Sequence, residues 1–174
     1  MGQIVNVLES ERKYILQEFH KDSLWDREFI IYQWYDCVEK EKKTKLIVDL
    51  LNLTVKWVRV TKYRLNNSDS EKRVEYLSAN DVDFSKLVGS DFVCKRRSLK
   101  GKISIDTFYC SNNICKYLIE NEDDSSNLGE ILEFQGLDLR DVTDDIRFRN
   151  TNMTATFTEV DKNNLLFLLQ LLHK

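Results

Sequence analysis

The sequence predicts an α+β fold that is mainly β, with an antiparallel sheet and flanking helices. Two observations favour this class. Eight stretches rich in aromatic and β-branched residues follow one another at short intervals, as strands of an antiparallel sheet do. Three further stretches have the polar entry residues and apolar content that are typical of helices. The chain has no proline, so Gly, Asn, Asp and Ser must form its turns.

Each predicted strand combines apolar residues with a regular alternation of charge. The first is the charge-rich stretch LESERKYIL, and the second, FIIYQWYD, is the most aromatic. The eight predicted strands span residues 8–16, 29–36, 43–51, 53–65, 72–78, 92–98, 102–109 and 116–122.

Helices are predicted in three places between and after the strands. Residues 78–89 form a short helix that ends at Gly89, and residues 141–154 form a second one. The third, at about 158–174, begins at Thr158, which is a favourable N-cap. This last helix is strongly apolar, which makes it a packing surface or the contact surface of a homodimer.

Length and composition limit the class of protein. A chain of 174 residues is most simply one domain, 1–174, with its own core. Its formal charge of -3 argues against a general nucleic-acid binder, so any basic site must be concentrated. No signal peptide and no apolar run long enough to span a bilayer is recognisable. We therefore expect a cytoplasmic protein with no nucleic-acid or membrane partner.

Metal ligands in this chain would have to be carboxylates. The four cysteines lack the close paired spacing of a zinc site, and there are only two histidines. Oxygen ligands favour hard ions, so Mg²⁺ or Mn²⁺ is the expected cofactor rather than zinc.

Nearly every predicted strand has one charged face. Side chains alternate between the two faces of a strand, so Glu9, Glu11 and Lys13 lie together. The same parity groups Lys43 with Lys45, Lys56 with Lys62, Lys95 with Arg97, and Glu120 with Glu122. A solvent-exposed sheet explains any one such face. Eight together favour a sheet that turns its charged face toward a wet or ligand-filled cavity, where buried charges are paired or coordinated.

A series of short motifs in order along most of the chain resembles the CYTH family, the triphosphate tunnel metalloenzymes. Residues 9–13 have the form E-x-E-x-K that marks the first strand of this family. The other matching segments are YQWYD, LTVK, KRVEY, CKRRS, ISIDTFY, LIENE and DVTDDIRFRN.

The resemblance implies an eight-stranded antiparallel closed barrel whose inner wall is charged and binds a triphosphate. It implies metal ligation and catalysis by carboxylates, with Lys13 as a further catalytic residue. The implied metal ligands are Glu9, Glu11, Glu75, Glu120 and Glu122, of which Glu9, Glu11 and Glu75 are also the candidate catalytic residues. The implied phosphate-site residues are Lys13, Lys43, Lys45, Lys56, Lys62, Lys95, Arg97, Asp106, Arg147 and Arg149. In the fourth predicted strand, either Lys56 or Lys62 matches the tunnel lysine of the family.

The resemblance predicts a divalent-metal-dependent hydrolase of tripolyphosphate or another small-molecule triphosphate. A class IV-type adenylyl cyclase and a non-enzymatic polyphosphate or nucleotide sensor are the alternatives. The matched residues are almost all directed at phosphates, and no set of adenine-reading side chains can be identified. We therefore expect inorganic tripolyphosphate to be cleaved with a higher kcat/KM than ATP, and no cyclic AMP to form.

Overall fold

A computed structural model describes residues 4–19, 25–36, 41–66, 68–122 and 138–173. Over these ranges the chain forms one sheet of eleven strands and two α-helices. The strands are β1 (Ile4–Ser10), β2 (Arg12–Leu16), β3 (Arg27–Tyr35), β4 (Lys42–Asp49), β5 (Thr54–Arg64), β6 (Asp69–Leu77), β7 (Asp91–Lys100), β8 (Ile103–Cys110), β9 (Tyr117–Asn121), β10 (Arg140–Asp141) and β11 (Ala155–Thr156). The helices are α1 (Phe84–Leu87) and α2 (Glu159–Leu172). The mainly β, α+β class predicted from the sequence is confirmed.

The sheet is antiparallel, and β1, at one end of the strand order, is followed directly in sequence by β2, which lies near the other end. The strand order is β1-β6-β5-β4-β3-β7-β8-β9-β2-β10, and β11 pairs with β7. Only Glu11 separates β1 from β2, and its backbone N–H donates to the carbonyl oxygen of Ser68 at 3.0 Å. In the part of the chain that the structure describes, no ladder joins β1 to β2 or β10. The sheet is therefore not closed by hydrogen bonds, and the predicted closed barrel is not confirmed.

Two of the three predicted helices do not form as the sequence predicts. In place of one helix over 78–89 there is a 3₁₀ turn, Ala79–Asp81, followed by the single turn of α1. The helix predicted over 141–154 is wrong, because this segment contains two 3₁₀ turns, Ile146–Phe148 and Asn150–Asn152. Asp141 and Asp145 accept backbone hydrogen bonds from residues two positions later, and such local bonds compete with α-helix formation.

The C-terminal helix forms where the sequence predicts it. Thr158 is the N-cap of α2, and its side chain accepts from the backbone of Asp161, whose own side chain accepts from the Thr158 backbone. This reciprocal capping box satisfies donors that the first turn would otherwise leave unpaired. No helix in the described ranges combines the length and the apolar character that crossing a membrane requires.

The outer face of the sheet carries the main hydrophobic core. Trp34 and Trp57 stack with ring centroids 5.9 Å apart, and Phe157 packs edge-on against Trp34. Leu165 of α2 is fully buried in the same cluster. The covering helices thus remove the apolar outer face from water, which leaves the charged inner face to line the interior.

One end of the inner face is filled with apolar side chains. Val93, Phe108 and Leu118 of the sheet pack with Phe148 and Met153 from the two 3₁₀ turns. All five are buried. This cluster positions the 3₁₀ segment across the inner face, beside the residues of the candidate site.

Candidate functional site

A strongly charged cavity of about 80 Å³ lies on the inner face of the sheet. Its lining includes eight cationic side chains and four carboxylates, so we name it the charged cavity. The full lining is Glu11, Lys13, Gln33, Tyr35, Glu41, Lys43, Lys45, Lys62, Arg64, Lys72, Lys95, Arg97, Glu120, Glu122, Asn150 and Thr151. The lining residues therefore carry an excess of four formal positive charges.

Strand alternation gathers these cations from separate strands. Lys43 and Lys45 are two residues apart on β4, as Lys95 and Arg97 are on β7, so each pair projects to the same face. Across the sheet, Lys45 lies opposite Gln33 of β3 and Val58 of β5. Neither cross-strand neighbour of Lys45 is acidic.

Asp106 is the anchor for two of the cavity cations. Its side chain is fully buried and accepts from Lys95 Nζ at 2.6 Å and from Arg97 Nε and Nη2 at 2.7 Å each. Burial opposes ionisation of this carboxyl group, but the charges of Arg97 and Lys95 outweigh burial and lower the pKa of Asp106. The bidentate contact fixes the plane of the Arg97 guanidinium group.

Glu120 and Asn150 complete this network from two other elements. Arg97 Nη2 donates to Glu120 Oε2 at 3.0 Å, and Lys95 Nζ donates to Asn150 Oδ1 at 3.1 Å. Burial opposes ionisation of Glu120 as well, yet Arg97 and the neighbouring lysines hold its pKa well below the usual value. The anchored cations are therefore positioned before any ligand arrives.

Glu11 enters the cavity where the first predicted strand is interrupted. Its carboxylate lies 3.4 Å from Lys62 Nζ and 3.5 Å from Lys13 Nζ. Glu11 and Lys13 are both buried. The break between β1 and β2 thus places one carboxylate between two cations.

Lys43 and Lys45 form no hydrogen bond or ion pair with a carboxylate in the described part of the chain. Burial, together with the charges of Lys62 and Lys95, lowers the pKa of Lys43 to about 7. Burial also holds the pKa of Lys45 well below its usual value, reinforced by Lys43 and the other cavity cations. An anion in the cavity would relieve both effects, because it favours the charged form of each lysine.

The structure brings nine of the predicted site residues to the lining of the charged cavity. They are Glu11, Lys13, Lys43, Lys45, Lys62, Lys95, Arg97, Glu120 and Glu122. Asp106 lies directly behind them through its contacts with Lys95 and Arg97. Of the two alternative lysines on β5, Lys62 lines this cavity, whereas Lys56 is exposed and lines a neighbouring one.

Other predicted site residues do not line the charged cavity. Glu75 projects from the opposite face of β6 and pairs with Arg59 at 3.5 Å. Arg147 is exposed and forms an ion pair with Asp145. Arg149 is partly exposed and lies outside the lining. The side chain of Glu9 lies outside the described residues, although its backbone pairs with Ser70.

Sequence reasoning missed seven lining residues. They are Gln33, Tyr35, Glu41, Arg64, Lys72, Asn150 and Thr151. Strand parity groups Arg64 with Lys62, since the two lie two residues apart on β5, but the family resemblance does not single it out. Asn150 lies in a 3₁₀ turn, in a segment where the sequence predicts an α-helix, so strand parity does not apply to it.

The described carboxylates do not form a ready-made metal site. Within the described ranges, no three or more His, Cys, Asp or Glu side chains come together as a group that could hold a metal ion. Glu11 and Glu120 are instead engaged with cations. The described residues alone thus do not fit the expected Mg²⁺ or Mn²⁺.

Trp57 and Tyr63, two aromatic residues of β5, face away from the charged cavity. Trp57 is buried in the outer core, where it packs against Trp34 and Phe84. Tyr63 lies two strand positions from Thr61 on the outer face of β5 and is 54% exposed. Neither ring can contact a ligand held by the cavity cations.

Comparison with known proteins gives a weak structural likeness. No family model and no curated protein matches the sequence. The crystal structure of the hypothetical protein NE1496 is 16% identical, with a TM-score of 0.47, over 83% of this chain and 95% of that chain. The crystal structure of the inorganic triphosphatase NE1496 is 14% identical, with a TM-score of 0.46, over the same shares of the two chains. At this level of similarity, the function has to be inferred from the site itself.

Proposed function

We propose that the charged cavity binds a small-molecule triphosphate or tripolyphosphate and that the protein hydrolyses its terminal phosphoanhydride bond. The observation that carries this proposal is the excess of cations at the cavity wall, of which Lys43 and Lys45 are partly buried and have no carboxylate partner among the described residues. Buried charge is costly unless it is paired. A polyanionic ligand would supply the missing pairing.

The charge of the cavity agrees in sign with this ligand class. The lining carries eight cationic and four acidic side chains, and Asp106 behind it adds a fifth carboxylate, so the excess is three formal positive charges. Lys43 and Lys45 have lowered pKa values in the free protein, and a polyanion would favour their charged forms. Contacts between ammonium or guanidinium groups and phosphate oxygens are charge-assisted and about twice as strong as neutral hydrogen bonds. A single inorganic phosphate would leave much of the cavity charge uncompensated.

In this proposal the side chains of the protein act by positioning and electrostatic stabilisation. Lys43 and Lys45 neutralise phosphate oxygens, and Arg97, held by Asp106, presents a donor in a fixed orientation. Charge develops on phosphate oxygens during phosphoryl transfer, so preplaced cations favour the transition state. Glu11, which is buried among the cations, is the candidate to orient the attacking water.

We also propose that the sheet closes around this ligand as a barrel. The support is that β1 and β2, at distant positions in the strand order, are joined by the single residue Glu11. Such a covalent connection keeps the two ends of the sheet near each other. A single domain over 1–174 and a homodimer through α2 remain predictions from the sequence.

Mg²⁺ or Mn²⁺ remains the proposed cofactor on the strength of the sequence motifs alone. When bound, such an ion would neutralise charge on the phosphate oxygens. The sequence motifs name Glu9, Glu11, Glu120 and Glu122 as its ligands, whereas Glu75, which they also name, lies on the other face of β6. Activity that persists in excess chelator would remove the metal from the proposal.

A binding protein without catalysis is the second candidate. The observation that favours it is that Glu11 and Glu120 are held in ion pairs with cavity cations, which compete with a metal ion for the carboxylate oxygens. Such a protein would retain high affinity for tripolyphosphate while releasing no phosphate.

A product assay separates these candidates. The protein is incubated with tripolyphosphate, ATP or thiamine triphosphate, with Mg²⁺ or Mn²⁺, and released phosphate and cyclic AMP are both measured. Phosphate release is the result expected of a hydrolase. Cyclic AMP would identify a cyclase, and tight binding without either product would identify a sensor.

A further inference from the structure

A second cavity, of about 370 Å³, continues from the charged cavity along the same face of the sheet. We name it the apolar chamber, because side chains of Val, Ile, Leu, Phe and Tyr make up most of its wall. Its lining is Arg27, Phe29, Ile31, Lys45, Ile47, Asp49, Thr54, Lys56, Val58, Val60, Lys72, Val74, Tyr76, Arg97 and Leu99. Lys45, Lys72 and Arg97 line both cavities, so the two spaces meet at these cations.

Each strand changes from charged to apolar lining as it passes this junction. On β4, Lys43 and Lys45 are followed on the same face by Ile47. On β5, Lys62 lines the charged cavity and Val60 lines the chamber. Residues two apart on a strand are separated by roughly 7 Å, so the chamber begins about one phosphate group away from the shared cations.

Two of the polar side chains at the chamber, Arg27 and Asp49, are occupied by each other. Asp49 accepts from Arg27 at 2.8 Å and from the backbone N–H groups of Leu51 and Asn52. These bonds hold the pKa of Asp49 at about 2. Arg27 also lies over the ring of Phe29, 4.8 Å from its centroid. Phe29, Ile31 and Tyr76 then offer apolar and aromatic surface to a ligand beside the cations that line both cavities.

We infer that the apolar chamber holds the organic group of a triphosphate ester, a ring-bearing group such as a nucleoside, while its phosphates occupy the charged cavity. This inference rests on the proposed function and names its substrate class. Eight of the fifteen lining residues are apolar or aromatic, and the volume lies within the range of about 300–1,000 Å³ that is common for small-molecule sites. Inorganic tripolyphosphate gains nothing from apolar walls.

The chamber gives a reason to revise one expectation from the sequence. The sequence alone predicts that the protein prefers inorganic tripolyphosphate, because no side chains that would contact an organic group can be identified in it. Phe29, Ile31 and Tyr76 now form such a set, on the same face as the phosphate-directed cations. Burying an apolar ring against them contributes affinity that the inorganic compound cannot obtain.

The test compares the affinities of inorganic and organic triphosphates for variants of the chamber. Dissociation constants for tripolyphosphate, ATP and thiamine triphosphate are measured by calorimetry in the presence of chelator, which limits turnover. Tyr76→Ala removes a ring that is 41% exposed, and Ile47→Ser makes the wall polar. The control is Tyr63→Ala, a Tyr of similar exposure on the outer face of β5.

Both chamber variants should weaken binding of at least one ester about tenfold and leave the affinity for tripolyphosphate within twofold. Tyr63→Ala should change neither. If each ester binds the wild type and both chamber variants with equal affinity, the chamber inference fails and the proposed function stands. The same conclusion follows if tripolyphosphate binds and none of the esters does. If the wild-type protein binds none of the three compounds, the proposed function fails too.

Discussion

Replacing Lys45 with methionine should stabilise the free protein and weaken its binding of triphosphate. Lys45 lies between Gln33 and Val58 and forms no ion pair in the described part of the chain. Burial, together with the nearby cations, holds its pKa well below the usual value. Methionine has a similar shape and carries no charge, so Lys45→Met removes a partly buried amino group that has no ion-pair partner among the described residues.

The expected magnitudes have opposite signs in the two measurements. Leaving a buried polar group unpaired costs about 1–3 kcal/mol, so the variant should unfold at a higher denaturant concentration by a similar free energy. A hydrogen bond to a charged group contributes about 1.5–3 kcal/mol, which corresponds to an affinity for tripolyphosphate reduced roughly 10- to 150-fold. Urea unfolding followed by circular dichroism and titration calorimetry measure these two quantities.

The matched control is Lys56→Met. Lys56 is an exposed lysine on the adjacent strand and does not line the charged cavity. It should change both the free energy of unfolding and the affinity for tripolyphosphate by much less than Lys45→Met does. A Lys45→Met protein that is less stable than wild type, or that binds tripolyphosphate with unchanged affinity, would refute the reasoning.

Four further predictions concern other residues of the site. Asp106→Asn should lower the free energy of unfolding by about 3–5 kcal/mol, measured in urea, because it removes the partner of two buried cations; a loss below 1 kcal/mol would contradict this. Arg97→Ala should weaken tripolyphosphate binding at least tenfold in calorimetry, since a charge-assisted contact is lost, and wild-type affinity would place the ligand elsewhere. Affinity for tripolyphosphate should fall as pH rises above about 7, because Lys43 is protonated below its lowered pKa and neutral above it; Lys43→Gln should flatten this part of the pH profile, and an identical profile in the variant would exclude Lys43 as the cause. Glu11→Gln and Glu122→Gln should each abolish metal-dependent phosphate release without changing the circular dichroism spectrum, because amides are poorer ligands for hard ions, and full activity in both would remove these carboxylates from the metal proposal.

Strand parity explains why much of the candidate site could be predicted from the sequence. Charged residues two positions apart, such as Lys43 with Lys45 and Lys95 with Arg97, share a face whatever the strand order is. Given the strands, the charged side chains on this face converge if the sheet curves toward it. The apolar chamber could have been suspected in the same way, since Ile47 continues the face of Lys45.

Other features depend on tertiary structure that no strand pattern reports. The family resemblance singles out Glu75 without indicating which face of β6 turns inward, and the structure puts Lys72 on that face instead. The interruption at Glu11 depends on a backbone hydrogen bond to Ser68, far along the chain. The contact of Asn150 with Lys95 depends on 3₁₀ turns that local side-chain hydrogen bonds favour over an α-helix.

Titration of the protein with inorganic tripolyphosphate in a calorimeter tests the central claim, that the charged cavity is a polyanion site. The measurement is made on the wild-type protein and on Lys43→Met/Lys45→Met, which lacks the two cations without a described carboxylate partner. The account predicts saturable binding of one tripolyphosphate per chain to the wild type, and an affinity at least 100-fold weaker in a folded double variant. Absence of binding to the wild type, or equal affinity in the two proteins, would contradict it.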